Sequence, residues 1–133
     1  MPRVAVYFHK RLSGLCPGFH RELADHQDIL IFSLGLGAEA MMLANIYSDL
    51  RHVAIDWLHD QLPMLPNLHI MCGDFNVRHR DWDPSGPLVN AAASRLVASA
   101  SALGMSISTP VEVGPTHFLF EGRSEMTVKT GVD

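Results

Sequence analysis

Between Arg51 and Leu62 the chain repeats apolar side chains at helical spacing, with Val53, Ala54, Trp57, Leu58 and Leu62 forming one stripe. A short apolar run lies on either side, Met41–Tyr47 before the helix and Leu68–Cys72 after it. Runs of that length bounded by Gly and Pro read as strands. A helix caught between two strands must lay its stripe on the sheet they build, so this stretch commits the chain to layered α/β architecture. Ser48 and Asp49 are suitable N-cap residues for the helix, and Pro63 and Pro66 end it.

The remaining elements fit around that unit. Arg3–Phe8 is a β-branched and aromatic run, read as a strand, and Lys10–Gly18 turns away from it. Phe19 to His26 is polar and reads as loop. Asp28–Leu34 reads as a strand that Gly35-Leu36-Gly37 folds back into a hairpin with Met41–Tyr47. A second helix is expected over Leu88–Leu103, where alanines suit close packing and Gly104 sits at the stop position. Met105–Ser108 and Thr116–Phe120 read as short strands, and Glu121–Asp133 as a polar tail expected to be frayed. The order predicts a mixed β-sheet with helices on one face, in one domain over residues 1–120 followed by a disordered tail over 121–133.

The strand Leu68–Cys72 runs into Gly73-Asp74-Phe75-Asn76 and then Val77-Arg78-His79-Arg80-Asp81-Trp82. In an extended chain, residues i and i+2 point to the same side, so Asp74 and Asn76 would be presented together at the strand end. The carboxylate can hold water or take its proton, and the carboxamide can donate to a phosphate oxygen as charge builds on it. Gly73 removes a Cβ where a substrate backbone could approach. By residue type alone, an Asp/Asn-rich turn closing a strand is the commoner meaning of such a segment.

Gly73-Asp74-Phe75-Asn76 after a hydrophobic strand resembles the GDFN signature of the endonuclease/exonuclease/phosphatase superfamily, the DNase I-like metal-dependent phosphodiesterases. Its continuation through Arg78-His79 to Trp82 resembles the endonuclease domains of non-LTR retrotransposons. Asn45-Ile46-Tyr47-Ser48 upstream and Gly114-Pro115-Thr116-His117-Phe118 downstream resemble two further family segments, in the family's order. The resemblance implies an α/β (α+β) fold, a DNase I-like four-layer αββα sandwich, here incomplete and covering the middle of the family domain. It implies hydrolysis of DNA phosphodiester bonds assisted by Mg²⁺ or Mn²⁺. By the same resemblance, Asp74 would orient or deprotonate the attacking water, Asn76 would contact the scissile phosphate, and Tyr47 would stabilise charge in the transition state. Thr116, His117, Arg78 and His79 would contact substrate. The family's early Asn, its metal-binding Glu and its closing Ser-Asp-His triplet find no counterpart in the sequence. Impaired catalysis is therefore expected, with metal ligands unassigned beyond Asp74 and Asn76, since interdependent catalytic groups lose most of their rate together.

The chain has 47% hydrophobic and 18% charged residues and a net charge of −4, a globular composition without a basic field over the whole surface. Small basic clusters must therefore supply any nucleic-acid contact, and Arg78 and Arg80 beside His79 are the one such cluster near the motif. Cys16 and Cys72 form no C-x-x-C pattern, and Cys72 is expected as a buried free thiol in an intracellular protein, nuclear or cytoplasmic. His9, Lys10 and Arg11 interrupt the first apolar run, so neither a signal peptide nor a membrane span is expected. His52 and His59 lack the i,i+4 spacing of chelating helical histidines and read as surface. Two other functions compete with a DNA nuclease: a non-catalytic binding or interaction module, and a phosphoesterase for another phosphate substrate. A half-sandwich would also leave an apolar sheet face open to self-association.

Overall fold

The computed structural model describes residues 1–83 and 90–106, together with the backbone of two later strands, His117–Leu119 and Met126–Val128. Four strands form the main sheet in spatial order β1 (Gly18–Phe19), β2 (Ile29–Leu34), β3 (Met41–Tyr47) and β4 (Ile70–Asp74). The first three pair antiparallel and β3–β4 pair parallel, so the sheet is mixed as expected. The glycine-rich turn after β2 bends through positive φ at Gly35 (98°) and Gly37 (64°). A parallel pair needs a crossover, and helix α1 (Val53–Gln61) provides it between β3 and β4. Helix α2 (Ala91–Ala102) packs beside α1. β5 (His117–Leu119) and β6 (Met126–Val128) pair antiparallel as a separate two-stranded sheet.

Alternation along the strands divides the sheet into two faces. Ile29 and Ile31 of β2 and Ala44 and Ile46 of β3 turn to the helices, where they meet Ala54, Ile55, Leu58, Ala92 and Leu96. Alanines on both sides let the helices approach closely. Ile46, Ile55 and Leu58 are fully buried, each contributing roughly 1.5–3 kcal/mol of burial free energy. The opposite face is covered over β2 and β3 by the N-terminal segment. Asn45 Nδ2 donates to the Ala5 carbonyl at 3.0 Å, and the Phe8 ring meets Phe32 edge-on at 5.6 Å and Phe19 at 5.9 Å. Among the described residues that face is left open beside β4, and Met41 and Ile70 are exposed on it.

Several expectations from the sequence need correction. Arg3–Phe8 is not a strand: it alternates half-buried Val4, Val6 and Phe8 with exposed neighbours, but lies across the sheet rather than in its ladder. Phe19, expected in a loop, pairs with Phe32 in β1. β4 begins at Ile70 rather than Leu68, and Leu68 turns into the core instead. His69 locks that start by donating its backbone N–H to the Met42 carbonyl at 2.8 Å and accepting the Met42 N–H on Nδ1 at 2.9 Å. Cys72 is exposed on β4, not buried, because the open face lies over it. The stripe of α1 is turned by about one position, with Ile55 buried and Val53 exposed. Neither Ser48 nor Asp49 caps α1, whose N-cap is His52 with φ 57° and no capping side chain. Helix α2 begins at Ala91, capped by Asn90 Oδ1 accepting the Ala93 N–H at 2.7 Å, and Gly104 closes it at φ 77° as anticipated. Met126–Val128 is paired in β6, while the rest of the stretch expected as a tail lies outside the described residues.

Candidate active site

The parallel register of β3 and β4 sets Tyr47 opposite Asp74, so the C-terminal ends of two adjacent strands meet. In open α/β sheets that is where ligands bind. Asn45 and Cys72 are partners two residues earlier, and the alternation carries Tyr47 and Asp74 to the same face, away from the helices. Gly73 makes the approach possible. Its φ is 146°, and a Cβ there would overlap the Ile46 carbonyl oxygen and lie 2.7 Å from the Ile46 carbonyl carbon. The glycine serves the contact between the strands, where the sequence had suggested room for substrate.

Beyond the ladder, Ser48 organises the turn. Its N–H continues the pairing by donating to the Asp74 carbonyl at 2.8 Å, and its own carbonyl accepts Asn76 Nδ2 at 2.7 Å. Asn76 has φ 48°, a left-handed conformation that Asn tolerates, and its N–H reaches Asp74 Oδ1 at 3.3 Å. Asp74 and Asn76 thus come together through a turn and a bond to Ser48, not through an extended i, i+2 pair. One carboxamide N–H is committed to Ser48; Asn carries a second donor and a carbonyl oxygen besides.

An arginine that sequence reasoning missed supports Tyr47. Arg3 holds Asp28 with two hydrogen bonds of 2.5 Å and Asp49 with one of 3.2 Å, and its guanidinium lies 5.0 Å from the Tyr47 ring centroid. Asp28 is only 2% exposed, and its backbone carbonyl accepts the Tyr47 N–H at 2.9 Å. The hydrogen bonds to Asp28 and then Asp49 raise the Arg3 pKa above its ordinary value, so the guanidinium stays charged. The same bond from Arg3 holds the Asp49 carboxyl below the usual carboxylate range. No spacing in the sequence marks Arg3, Asp28 and Asp49 as partners; the available signal was one aspartate at the head of an apolar run and another just after Tyr47-Ser48.

Tyr47, Asp49, Leu50, Arg51 and Asn76 line a shallow open cleft at this end of the sheet. Arg78 and His79 follow in the loop after β4 and are not among its lining residues. His79 is mostly covered, with Nδ1 3.3 Å from Asp81 Oδ2 and its ring 5.0 Å from Trp82, whose Nε1 donates to the Val77 carbonyl at 3.2 Å. Arg78 is exposed. His117 opens β5, and Thr116 lies outside the described residues. Among the described residues no three His, Cys, Asp or Glu side chains converge as a metal site. Asp49 is committed to Arg3; Asp74, at the end of β4, is not among the residues that line the cleft and has no arginine partner among the described residues. One carboxylate falls short of a ligand set for a divalent cation unless substrate oxygens and waters complete it.

The mixed sheet carrying both helices on one face, with polar groups at the ends of its parallel pair, matches part of a DNase I-like endonuclease fold in structural comparison. No family model matches the sequence, and no curated protein matches it. Among solved structures, the chain is similar to the endonuclease domain of TRAS1, a telomere-specific non-LTR retrotransposon, with a TM-score of 0.58 over 84% of this chain at 18% identity. The chain spans about half of that domain, 51% of its length. At this identity the likeness establishes the fold.

Proposed function

We propose that the chain carries part of a metal-dependent phosphodiesterase site of the retrotransposon endonuclease type, with DNA as substrate. The observation that supports this reading best is the convergence of Tyr47, Asp74 and Asn76, brought about by the Tyr47–Asp74 register and the bond from Asn76 to Ser48. In this reading Asp74 orients the attacking water and accepts its proton, and the water oxygen bonds to phosphorus. The P–O bond to the departing strand oxygen breaks, and that oxygen takes a proton from solvent. The remaining N–H of Asn76 and the hydroxyl of Tyr47 donate to phosphate oxygens, where negative charge grows as the pentavalent transition state forms. Arg3 keeps the Tyr47 ring in place from behind. Arg78 and His79 stay in the proposal as contacts to more distant phosphates. Mg²⁺ or Mn²⁺ belongs to the proposal as Lewis acid for the reaction class, and Asp74 is what the described residues contribute toward it.

Nicking of supercoiled plasmid, with Mg²⁺ or Mn²⁺ added, tests the proposal directly. Expected is weak nicking that needs the metal and disappears in Asp74→Ala. Equal behaviour of the two proteins, both shown to be folded by circular dichroism, would sink the catalytic reading. A non-catalytic nucleic-acid-binding module is the second reading, favoured by the commitment to Arg3 of Asp49, the carboxylate that lines the cleft among the described residues.

A further inference from the structure

The turn between β3 and α1 carries Leu50 and Arg51 at its tip, with 87% of Leu50 and 83% of the Arg51 side chain exposed. Single exposed apolar residues are common on protein surfaces, so exposure alone assigns Leu50 nothing. The construction of the turn is what distinguishes it. Asp49 Oδ1 accepts the Arg51 N–H at 3.0 Å, and the Asp49 carbonyl accepts the His52 N–H at 3.0 Å. Asp49 Oδ2 is held by Arg3, and His52 Nδ1 lies 3.2 Å from the hydroxyl of the fully buried Ser48. The tip is thereby tied to the same Ser48 that positions Asn76 and to the same Arg3 that backs Tyr47. Leu50 and Arg51 also line the cleft together with Tyr47 and Asn76.

Resting on the nuclease reading above, we propose that Leu50-Arg51 is a duplex-engaging wedge. Leu50 presses against a base step next to the phosphate held at Tyr47 and Asn76, and Arg51 contacts the neighbouring phosphate. Leu50 and Arg51 line the cleft beside Tyr47 and Asn76, so a strand whose phosphate reaches those two lies against this tip. Inserted apolar side chains unstack base steps in many DNA complexes, and a turn that is already rigid loses little entropy on insertion. Arg51 is available for the contact. Its pair with Asp49 spans 4.0 Å on an exposed surface, the kind of ion pair that contributes almost nothing and gives way to a phosphate. With a net charge of −4 the protein has no general attraction for DNA, so a local cation beside the cleft counts for more.

The experiment uses the full chain and a duplex carrying 2-aminopurine at successive positions, with metal withheld to prevent cleavage. Binding is read by anisotropy of an end-labelled duplex, and unstacking by 2-aminopurine fluorescence. The native chain is expected to bind and to raise the fluorescence at one or two adjacent positions. Leu50→Ser should still bind but abolish that rise. Arg51→Ala should weaken binding and lower the salt slope by about one. Both residues are exposed, so both variants should fold normally. If Leu50→Ser keeps the rise, or the native chain binds without one, the wedge is wrong while the nuclease reading stands. If the native chain binds no duplex at all, both fail.

Discussion

Gly73→Ala is the most severe small substitution that this fold predicts. The added methyl would meet the backbone of Ile46, with its carbonyl carbon at 2.7 Å, its nitrogen at 2.9 Å and its oxygen closer still. Backbone cannot rotate away as a side chain tip can, so β3 and β4 must separate. Gly73 also has φ 146°, where an alanine is strained whatever the space around it. The strain costs about 1–3 kcal/mol, and forcing a methyl into occupied space costs about 1–3 kcal/mol more. Gly104→Ala provides the control, since Gly104 shares the positive φ (77°) but has nothing within 4 Å of its Cβ position. Strain acts alone there, so the expected loss is about 1 kcal/mol. Urea unfolding followed by circular dichroism, with m-values compared to confirm a common denatured state, measures both variants. A difference between them below about 1 kcal/mol would refute the claim that β3–β4 contact is what excludes a side chain at Gly73.

Two further outcomes are expected. Ile55→Ala should destabilise the fold by about 2–5 kcal/mol, whereas the exposed Val53 should tolerate alanine almost without loss; equal effects in the same urea experiment would mean that α1 presents the other stripe. The Asp49 carboxyl is held below its ordinary value of 3.8, first by the Arg3 hydrogen bond, so its stabilising contribution is complete above that value and is lost as the pH falls through the lower folded-state value. Denaturation midpoints followed from roughly pH 6 to pH 2 should therefore drop less steeply at the acid end in Asp49→Asn than in the native chain; unchanged acid sensitivity would remove Asp49 from the clamp.

Local pattern determined the elements that stand on period and punctuation. The hairpin of β2 and β3 followed from two apolar runs around a glycine turn, and α2 from its alanines and Gly104. The mixed sheet with helices on one face followed from the order of strands and helices, because a crossover helix has to bury its stripe on the sheet. The segment Gly73–Asn76 was legible as a site candidate from its residue types and its likeness to a known signature. Its geometry was not. An extended strand end would set Asp74 and Asn76 side by side, yet the chain turns at Asn76, whose carboxamide finds a carbonyl 28 positions away in sequence.

Tertiary structure alone decided the rest, since each remaining choice depends on a partner distant in the chain. Phe19 forms a strand because Phe32 is there to pair with it. Arg3–Phe8 has the composition of a strand, but its polar partners, Asp28, Gln27 and the Asn45 side chain, hold it across the sheet instead of beside it. Ser48 and Asp49 have the chemistry of helix caps, yet the Ser48 hydroxyl meets the His52 ring and the Asp49 carboxylate holds Arg3. Periodicity records which residues prefer to be buried, and it does so within a few turns of chain. Which carboxylate meets which arginine, and which face of the sheet stays open over Ile70 and Cys72, depends on contacts that exist only after β3, β4 and the N-terminal segment have come together.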